Sequence, residues 1–490
     1  MPEYEAVIGL EVHAQLRTRT KIFCGCSTAF GAPPNSQVCP VCLGLPGALP
    51  VLNHEAVDHA IRAALACQCQ VQSTSVFARK NYFYPDLPKG YQISQYERPL
   101  ATGGGLDVAS QGASRRIRLT RIHMEEDAGK SLHEGFADSD RRTYVDFNRS
   151  GVPLIEIVSE PDMRSAAEAA AFFSQLRAVL TWLGVSDGNM EEGSLRCDAN
   201  VSVRPVGGQA LGTKTEVKNV NSFRYLEKAL EYEIARHLDV VESGGRVVQE
   251  TRLWDSAGGR TVSMRSKEEA HDYRYFPEPD LPPLVVDEAR IERVRATMPE
   301  LPAARCRRFV SEYAIPEYDA GVLTQSAELA GYFEQTARAA GNAKAASNWI
   351  MGELLRTLHE RHGSIAEAPL TPQALAGLIV LVDRGTISGS IAKGVFATMI
   401  ESGRPAEEIV AREGLAQIGD EGAIAAVVHE VLAGHGDAVA QYRAGKKQAL
   451  GFLVGQVMKG TGGKANPRMA SDLLRRALDG SGTGSPDGVG

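Results

Sequence analysis

The chain is written in two patterns that change near residue 290. Before that point it carries short alternating runs broken by turns. After it nearly every stretch has the spacing of helices rich in Ala, Leu and Glu. In residues 8–16 one set of alternate positions is Ile8, Leu10, Val12, Ala14 and Leu16, and the other holds Glu11, His13 and Gln15. A strand there turns one face to a core and sets Glu11 and His13 about 7 Å apart on the other. Residues 194–203 repeat the design, with Leu195, Cys197, Ala199, Val201 and Val203 set against Arg196, Asp198 and Asn200. Arg121, His123 and Glu125 share a side in the same way, as do Asp146 and Asn148. These runs predict an antiparallel sheet with one apolar and one polar face. A polar face can simply be solvated; acids, His and Asn recurring on four such runs, with little Lys or Thr, point to a site.

Helices are predicted at 166–183 and 223–241. The segment 276–283, with Pro at 277, 279, 282 and 283, is too stiff for a helix interior and reads as a wall or connector closing the first domain. Gly103-Gly104-Gly105 signals a hairpin, and Gly403-Arg404-Pro405 breaks the helical half. The Gly/Ser-rich end of the chain reads as disordered.

Size and charge narrow the classes. At 490 residues the chain exceeds one core, so two to four domains are expected. With 43% hydrophobic and 23% charged residues it has the make-up of a globular enzyme, not of a disordered chain. No apolar run reaches the roughly 18 residues of a membrane helix, and the N-terminal residues lack a leader pattern. The expectation is a cytoplasmic protein with no membrane contact. A net charge of −7 excludes a surface coated in nucleic acid. Yet residues 441–476 carry an excess of seven positive charges, which fits either a local phosphate-backbone contact or a solvated pair of basic helices.

Eight cysteines in a chain of this length argue against a disulfide framework. Cys24 and Cys26 are followed, after twelve residues, by Cys39 and Cys42. Four thiolates in two tight pairs suit a closed, tetrahedral structural Zn²⁺ site that would fold a loop with little core of its own. Cys67, Cys69, Cys197 and Cys306 read as packing residues.

Two acidic stretches hold the candidate chemistry: His123-Met124-Glu125-Glu126-Asp127, and Glu191-Glu192 leading to Arg196 and Asp198. Either alone fits a solvated face. Taken with Glu11 and His13, they point to a Mg²⁺–phosphate site, because hard cations take oxygen ligands and keep room for phosphate. No P-loop, dinucleotide loop or G-x-S-x-G elbow is present in the sequence. Residues 79–95 interleave aromatics with Arg79, Lys80 and Lys89, a composition that stacks bases and holds phosphate, or that plugs a loop.

At this point the motifs resemble a known family. Residues 7–13 (VIGLEVH), 80–95, 123–130 (HMEEDAGK), 153–162 (PLIEIVSEPD), 190–200 and 272–280 (DYRYFPEPD) are those of the GatB family, the B subunits of bacterial Asp/Glu-tRNA(Asn/Gln) amidotransferases. The likeness covers residues 1–478. It implies an α+β fold: an antiparallel-sheet cradle domain (1–292), an all-helical domain (293–405) and a small helical YqeY-like tail (406–478), before a disordered end (479–490). It also implies a heterotrimer with a glutaminase A subunit and a small C subunit. The family's chain would bind misacylated Glu-tRNA(Gln) or Asp-tRNA(Asn), phosphorylate the side-chain carboxylate with ATP, and let ammonia from the A subunit displace the phosphate. Glu11, His13 and Glu125 are the expected Mg²⁺ shell. Glu126, Glu191, Asp198 and Asn200 are expected near it, and Lys80, Lys89 and Arg196 are candidates for phosphate or carboxylate contact. Two rival classes are a self-sufficient ligase of the glutamine-synthetase sort and a non-catalytic zinc-containing tRNA-binding protein.

Overall fold

The computed structural model describes residues 3–110, 112–132, 138–139, 141–266, 273–416 and 421–480. Two compact units divide at Pro302. Of the expectations above, the disordered end beyond residue 480 and Asp272 of the 272–280 motif lie outside the described residues.

The first unit is built on a ten-stranded sheet among the described residues. Its spine is Leu195–Pro205, Tyr4–Gln15, Pro153–Ser159 and Ala113–Glu126, side by side and antiparallel. Thr215–Lys218 pairs antiparallel with Leu195–Pro205; beyond it lies Glu250–Asp255, the one parallel partner, and then Arg260–Ser266. The alternation noted in residues 8–16 is what buries one face: Ile8, Leu10, Val12 and Ala14 are almost fully excluded from solvent. They pack in one continuous core with helices His54–Ala66, Ala166–Trp182 and Phe223–Glu242. Ser165 and Ser222 cap the two longer helices, each accepting a backbone N–H three residues on, which leaves one fewer orphan donor at each start. The opposite face of the spine stays polar.

Two expectations are corrected. Residues 144–146 do not join the main sheet. They form a separate two-stranded ladder, Lys130–Leu132 with Tyr144–Asp146. Asp146 and Asn148 accept the backbone N–H groups of Asn35 and Gln37 and so hold the cysteine-bearing loop. The three glycines at 103–105 are not a hairpin but a jog, since Ala101–Thr102 and Gly105–Ser110 both pair with Ala113–Glu126. Gly104 has φ +87°, and a Cβ there would sit 2.5 Å from the Cys67 carbonyl oxygen, so only glycine fits.

The stiff segment forms a wall as expected. Phe276–Pro277 adds to the edge of Phe77–Asn81, which pairs with Tyr91–Gln95, and Arg79 clamps Glu278 with two hydrogen bonds of 2.7 and 2.8 Å.

The second unit is helical throughout its described residues. Helix Gly389–Ser402 stops at Gly403, whose φ of +68° closes it. Helix Ala406–Arg412 packs on Pro372–Asp383 and Gly389–Ser402. A separate core follows, drawn from Ile424, Val428, Leu453, Val457, Leu474 and their neighbours, so the fold ends in a small helical body of its own. No single helix among the described residues is long and apolar enough to cross a membrane.

Candidate active site

Strand register decides which polar residues meet. Directly opposed residues in an antiparallel ladder share a face. Glu11 is paired with Asp198, and His13 with Arg196 on one side and Glu156 on the other. Glu156 is in turn paired with His123 on the next strand, and Glu125 lies two residues on from His123 on the same face. Four strands therefore converge on one patch.

At its centre one ligand atom each from His13, Glu125 and Glu156 lies within 4.8 Å of the others. His13 Nε2 is 3.6 Å from Glu125 and 3.5 Å from Glu156, and His123 Nε2 is 3.3 Å from Glu156. Ser94 donates to Glu125 at 3.2 Å. His123 and Glu125 are buried and His13 and Glu156 half-buried, and they shift one another. Burial works to lower His13, but the hydrogen bond and charge of Glu156, with Glu125 and Asp198, push it up to about 9. His123 is likewise raised by Glu156 and Glu125 against burial. Burial would raise both carboxyls, yet the two imidazoles hold Glu125 below, and Glu156 well below, the ordinary value. Two carboxylates, Glu125 buried and Glu156 half-buried, converge within one ion's reach with His13, whose imidazole would join them as a ligand for a divalent cation on giving up the proton that they hold on it. To one side Asn200 donates to Glu11 at 2.9 Å, while its own buried Oδ1 has no hydrogen-bond partner among the described residues. An orphaned carbonyl oxygen in such a place fits a cation or a ligand hydroxyl.

Comparison with known proteins decides the lineage. Residues 6–292 match the GatB/GatE catalytic domain and residues 331–478 match the GatB domain of the Yqey type. The chain is 58% identical to the B subunit of the aspartyl/glutamyl-tRNA(Asn/Gln) amidotransferase of Carboxydothermus hydrogenoformans, over 98% of this chain and 99% of that one. It is 56% identical to the corresponding chain of Chlorobium chlorochromatii and 57% identical to that of Geotalea daltonii, each over 98% of this chain and 100% of the relative. The chain belongs to the GatB family. Its fold class is the α+β cradle, helical region and Yqey-type tail that the sequence implied.

Within this GatB chain the expected residues fall into three places. His13 and Glu125 are in the cluster, and Glu11, Asp198 and Asn200 line its flank, Asp198 being paired to Lys218. Lys80 also belongs here. Its ammonium lies 4.9 Å from the Tyr273 ring and 5.9 Å from that of Tyr82. Burial would lower it, but Tyr275, Glu125 and Glu156 raise it, so it stays charged. Arg196 is committed to Asp127, 3.0 Å away. Gln15 and Arg149 hold the same carboxylate, at 2.7 and 3.7 Å, and against its burial they keep it ionised.

Glu126 lies elsewhere. One residue on from Glu125, it points to the other face, where it ion-pairs with Lys89 and accepts the Ile93 N–H at 2.8 Å. Those two line a cavity beside Cys24 and Cys42. Glu191 is exposed on the turn before strand Leu195–Pro205. The residues that sequence reasoning left out of the shell are Glu156 and His123. The signal for Glu156 was a single carboxylate inside the apolar run PLIEIVS.

The four cysteines Cys24, Cys26, Cys39 and Cys42 converge with their sulfurs within 4.8 Å of one another, compatible with a structural zinc site. The Cys42 thiol is drawn down to about 4 by Cys24, with help from the Cys39 N–H and the charge of Lys21. Lys21, fully buried, spends its ammonium on the Gln37 and Phe147 carbonyls, so a cation is built in beside the thiolates.

Proposed function

We propose that this chain is the ATP-using half of a tRNA-dependent amidotransferase. It activates the side-chain carboxylate of misacylated Glu-tRNA(Gln) or Asp-tRNA(Asn) and lets ammonia from a glutaminase A subunit replace the phosphate. A small C subunit completes the heterotrimer, and the setting is the cytoplasm. The observation that carries the reading is the convergence of His13, Glu125 and Glu156, in a chain whose relatives are named for this amidotransferase.

A free carboxylate is a poor acyl donor because its leaving group would be oxide. Transfer of the γ-phosphoryl group to a carboxylate oxygen releases ADP and gives an acyl phosphate. Ammonia then forms the C–N bond, inorganic phosphate leaves, and the nitrogen sheds a proton. Phosphoryl transfer asks the protein mainly for positioning and for positive charge. Mg²⁺ held by His13, Glu125 and Glu156 would neutralise charge on the phosphate oxygens. Lys80, kept charged between two tyrosines, offers the chain's own cation. Asn200 orients Glu11, and Asp198, paired to Lys218, narrows the flank. Arg196, fixed by Asp127, sets the far edge. Zn²⁺ on the four cysteines would stabilise the loop of residues 21–47. The basic tail would hold the body of the tRNA.

Membership over a whole catalytic domain disfavours a mere RNA-binding module, and a dependence on partner chains separates this reading from a self-sufficient ligase. Reconstitution with the A and C subunits, supplying ATP, glutamine and each misacylated tRNA, tests it. Amide formation by the complex and none by the isolated chain is the expected result. Amide from glutamine by the isolated chain would overturn it.

A further inference from the structure

Lys21 is among the largest side chains that are wholly shut off from solvent. A lysine is almost never buried so completely unless an opposite charge answers it. Its ammonium donates to the carbonyl oxygens of Gln37 and Phe147 at 2.8 and 3.2 Å. That occupies two of its three N–H groups but leaves its charge unmatched. The small cavity beside it carries four charged side chains, Lys21, Lys89, Glu126 and Asp280. Lys89 takes Glu126, and Asp280 goes to Arg79 at 3.3 Å. What remains on that wall for Lys21 is sulfur, because Cys24 and Cys42 line the same cavity.

Gly151 shows how close the two are. A Cβ placed there would lie 3.5 Å from the Cys42 Cβ and 3.5 Å from the Lys21 Cδ. The backbone makes the same connection. The Lys21 N–H donates to the Cys26 carbonyl at 3.0 Å. Gln37, whose carbonyl takes the ammonium, stands two residues before Cys39, and Asn148 accepts its N–H at 2.8 Å. One residue thus reaches both cysteine pairs, the first with its backbone and the second with its side chain. Zn²⁺ with four thiolates carries two net negative charges. A partly buried loop disfavours that charge, and one cation fixed beside the sulfurs offsets half of it.

We propose that Lys21 is the counter-cation of the zinc site. It is a positioning residue outside the ligand set, and it governs how tightly the four cysteines hold the metal and how much electron density their sulfurs carry. This rests on the zinc assignment made above and extends it to a residue that the cysteine spacing does not name.

The test uses the full-length chain with two neutral variants. Lys21→Met keeps the length of the side chain and loses both the charge and the N–H groups; Lys21→Gln keeps N–H donors and loses only the charge. Zinc affinity is measured by competition with a chromophoric chelator, and the sulfur-to-cobalt charge-transfer bands are recorded after Co²⁺ replaces Zn²⁺. Both variants are expected to hold zinc roughly ten- to hundredfold more weakly, the range for a lost outer-shell partner. Their bands should move to lower energy, because the sulfur electrons lose the cation that stabilised them. A mere pillar across the loop would instead let Lys21→Gln recover the affinity and leave the bands in place. Zinc affinity of Lys21→Gln within about threefold of the unmodified chain, or unshifted bands in the variants, overturns the proposal. Should Lys21→Met yield no folded chain, Lys21→Gln carries the comparison by itself. If the unmodified chain takes up neither metal in a four-thiolate site, it is the zinc assignment that fails; if it does and the variants equal it, the role of Lys21 alone fails.

Discussion

His13 and Glu156 face each other directly across two antiparallel strands, with His13 Nε2 3.5 Å from the Glu156 carboxylate. They lie more than 140 residues apart in the chain, and the pairing turns an isolated acid in an apolar strand into the third corner of the His13–Glu125–Glu156 cluster.

Glu156→Gln and His13→Ala should each cut tRNA-dependent ATP hydrolysis and amidation at least roughly hundredfold, the scale of losing a ligand to a charge-neutralising cation. Glutamine hydrolysis by the glutaminase partner should survive. Glu126→Gln should cost less in amidation and more in thermal stability, because Glu126 faces Lys89 on the other side of the sheet. Equal losses for Glu126→Gln and Glu156→Gln in an amidation assay would contradict this division.

Metal analysis of purified protein should find about one Zn²⁺ per chain, from four thiolates in one tetrahedral site. Cys39→Ser with Cys42→Ser should remove it and open the loop of residues 21–47 to limited proteolysis. Protein prepared without chelator and carrying no zinc would refute the assignment.

Glu233 ties helix Phe223–Glu242 to the sheet edge through Arg236, His237, Arg252 and Thr261. Burial works to raise its carboxyl, but the hydrogen bonds with His237, Arg236 and Thr261 lower it from 4.5 to about 2. A carboxyl depressed on folding stabilises above its unfolded value, and the contribution fades as pH falls from about 4.5 to about 2. Glu233→Gln should therefore cost roughly 3 kcal/mol at pH 7 and flatten the acid limb of the stability curve. Unfolding midpoints of the first unit, followed from pH 7 to pH 2, check both; an acid limb parallel to that of the unsubstituted chain would exclude the role.

The tail's positive residues Arg443, Lys446, Lys447, Lys459, Arg468, Arg475 and Arg476 are exposed, and Lys464 half so. Removing residues from 413 onward spares helix Ala406–Arg412, which packs on the preceding helices. The truncated chain, in complex with its partners, should bind tRNA more weakly and lose roughly 0.7–0.9 log units of salt slope per phosphate contact removed. Unchanged affinity and slope in a salt titration would rule the tail out as the tRNA grip.

Sequence alone determined what is local. Alternation fixed the strand around Glu11 and His13 and the one around Asp198 and Asn200, because a half-buried strand must repeat every two residues. Helical spacing and caps fixed Ala166–Trp182 and Phe223–Glu242, and the close spacing of Cys24 with Cys26 and of Cys39 with Cys42 announced their convergence. Tertiary structure decided what depends on pairing between distant strands. Register brought Glu156 and His123 to His13, and packing of the 89–93 segment gave Glu126 its own partners, Lys89 and the Ile93 N–H, away from the cluster. The fold sent Asp146 and Asn148 to hold a loop rather than to line the sheet. A strand's own sequence says which residues share a face, but not which strand lies beside it. That choice is made by the core that all the strands bury together, and the site is assembled on the side that core leaves open.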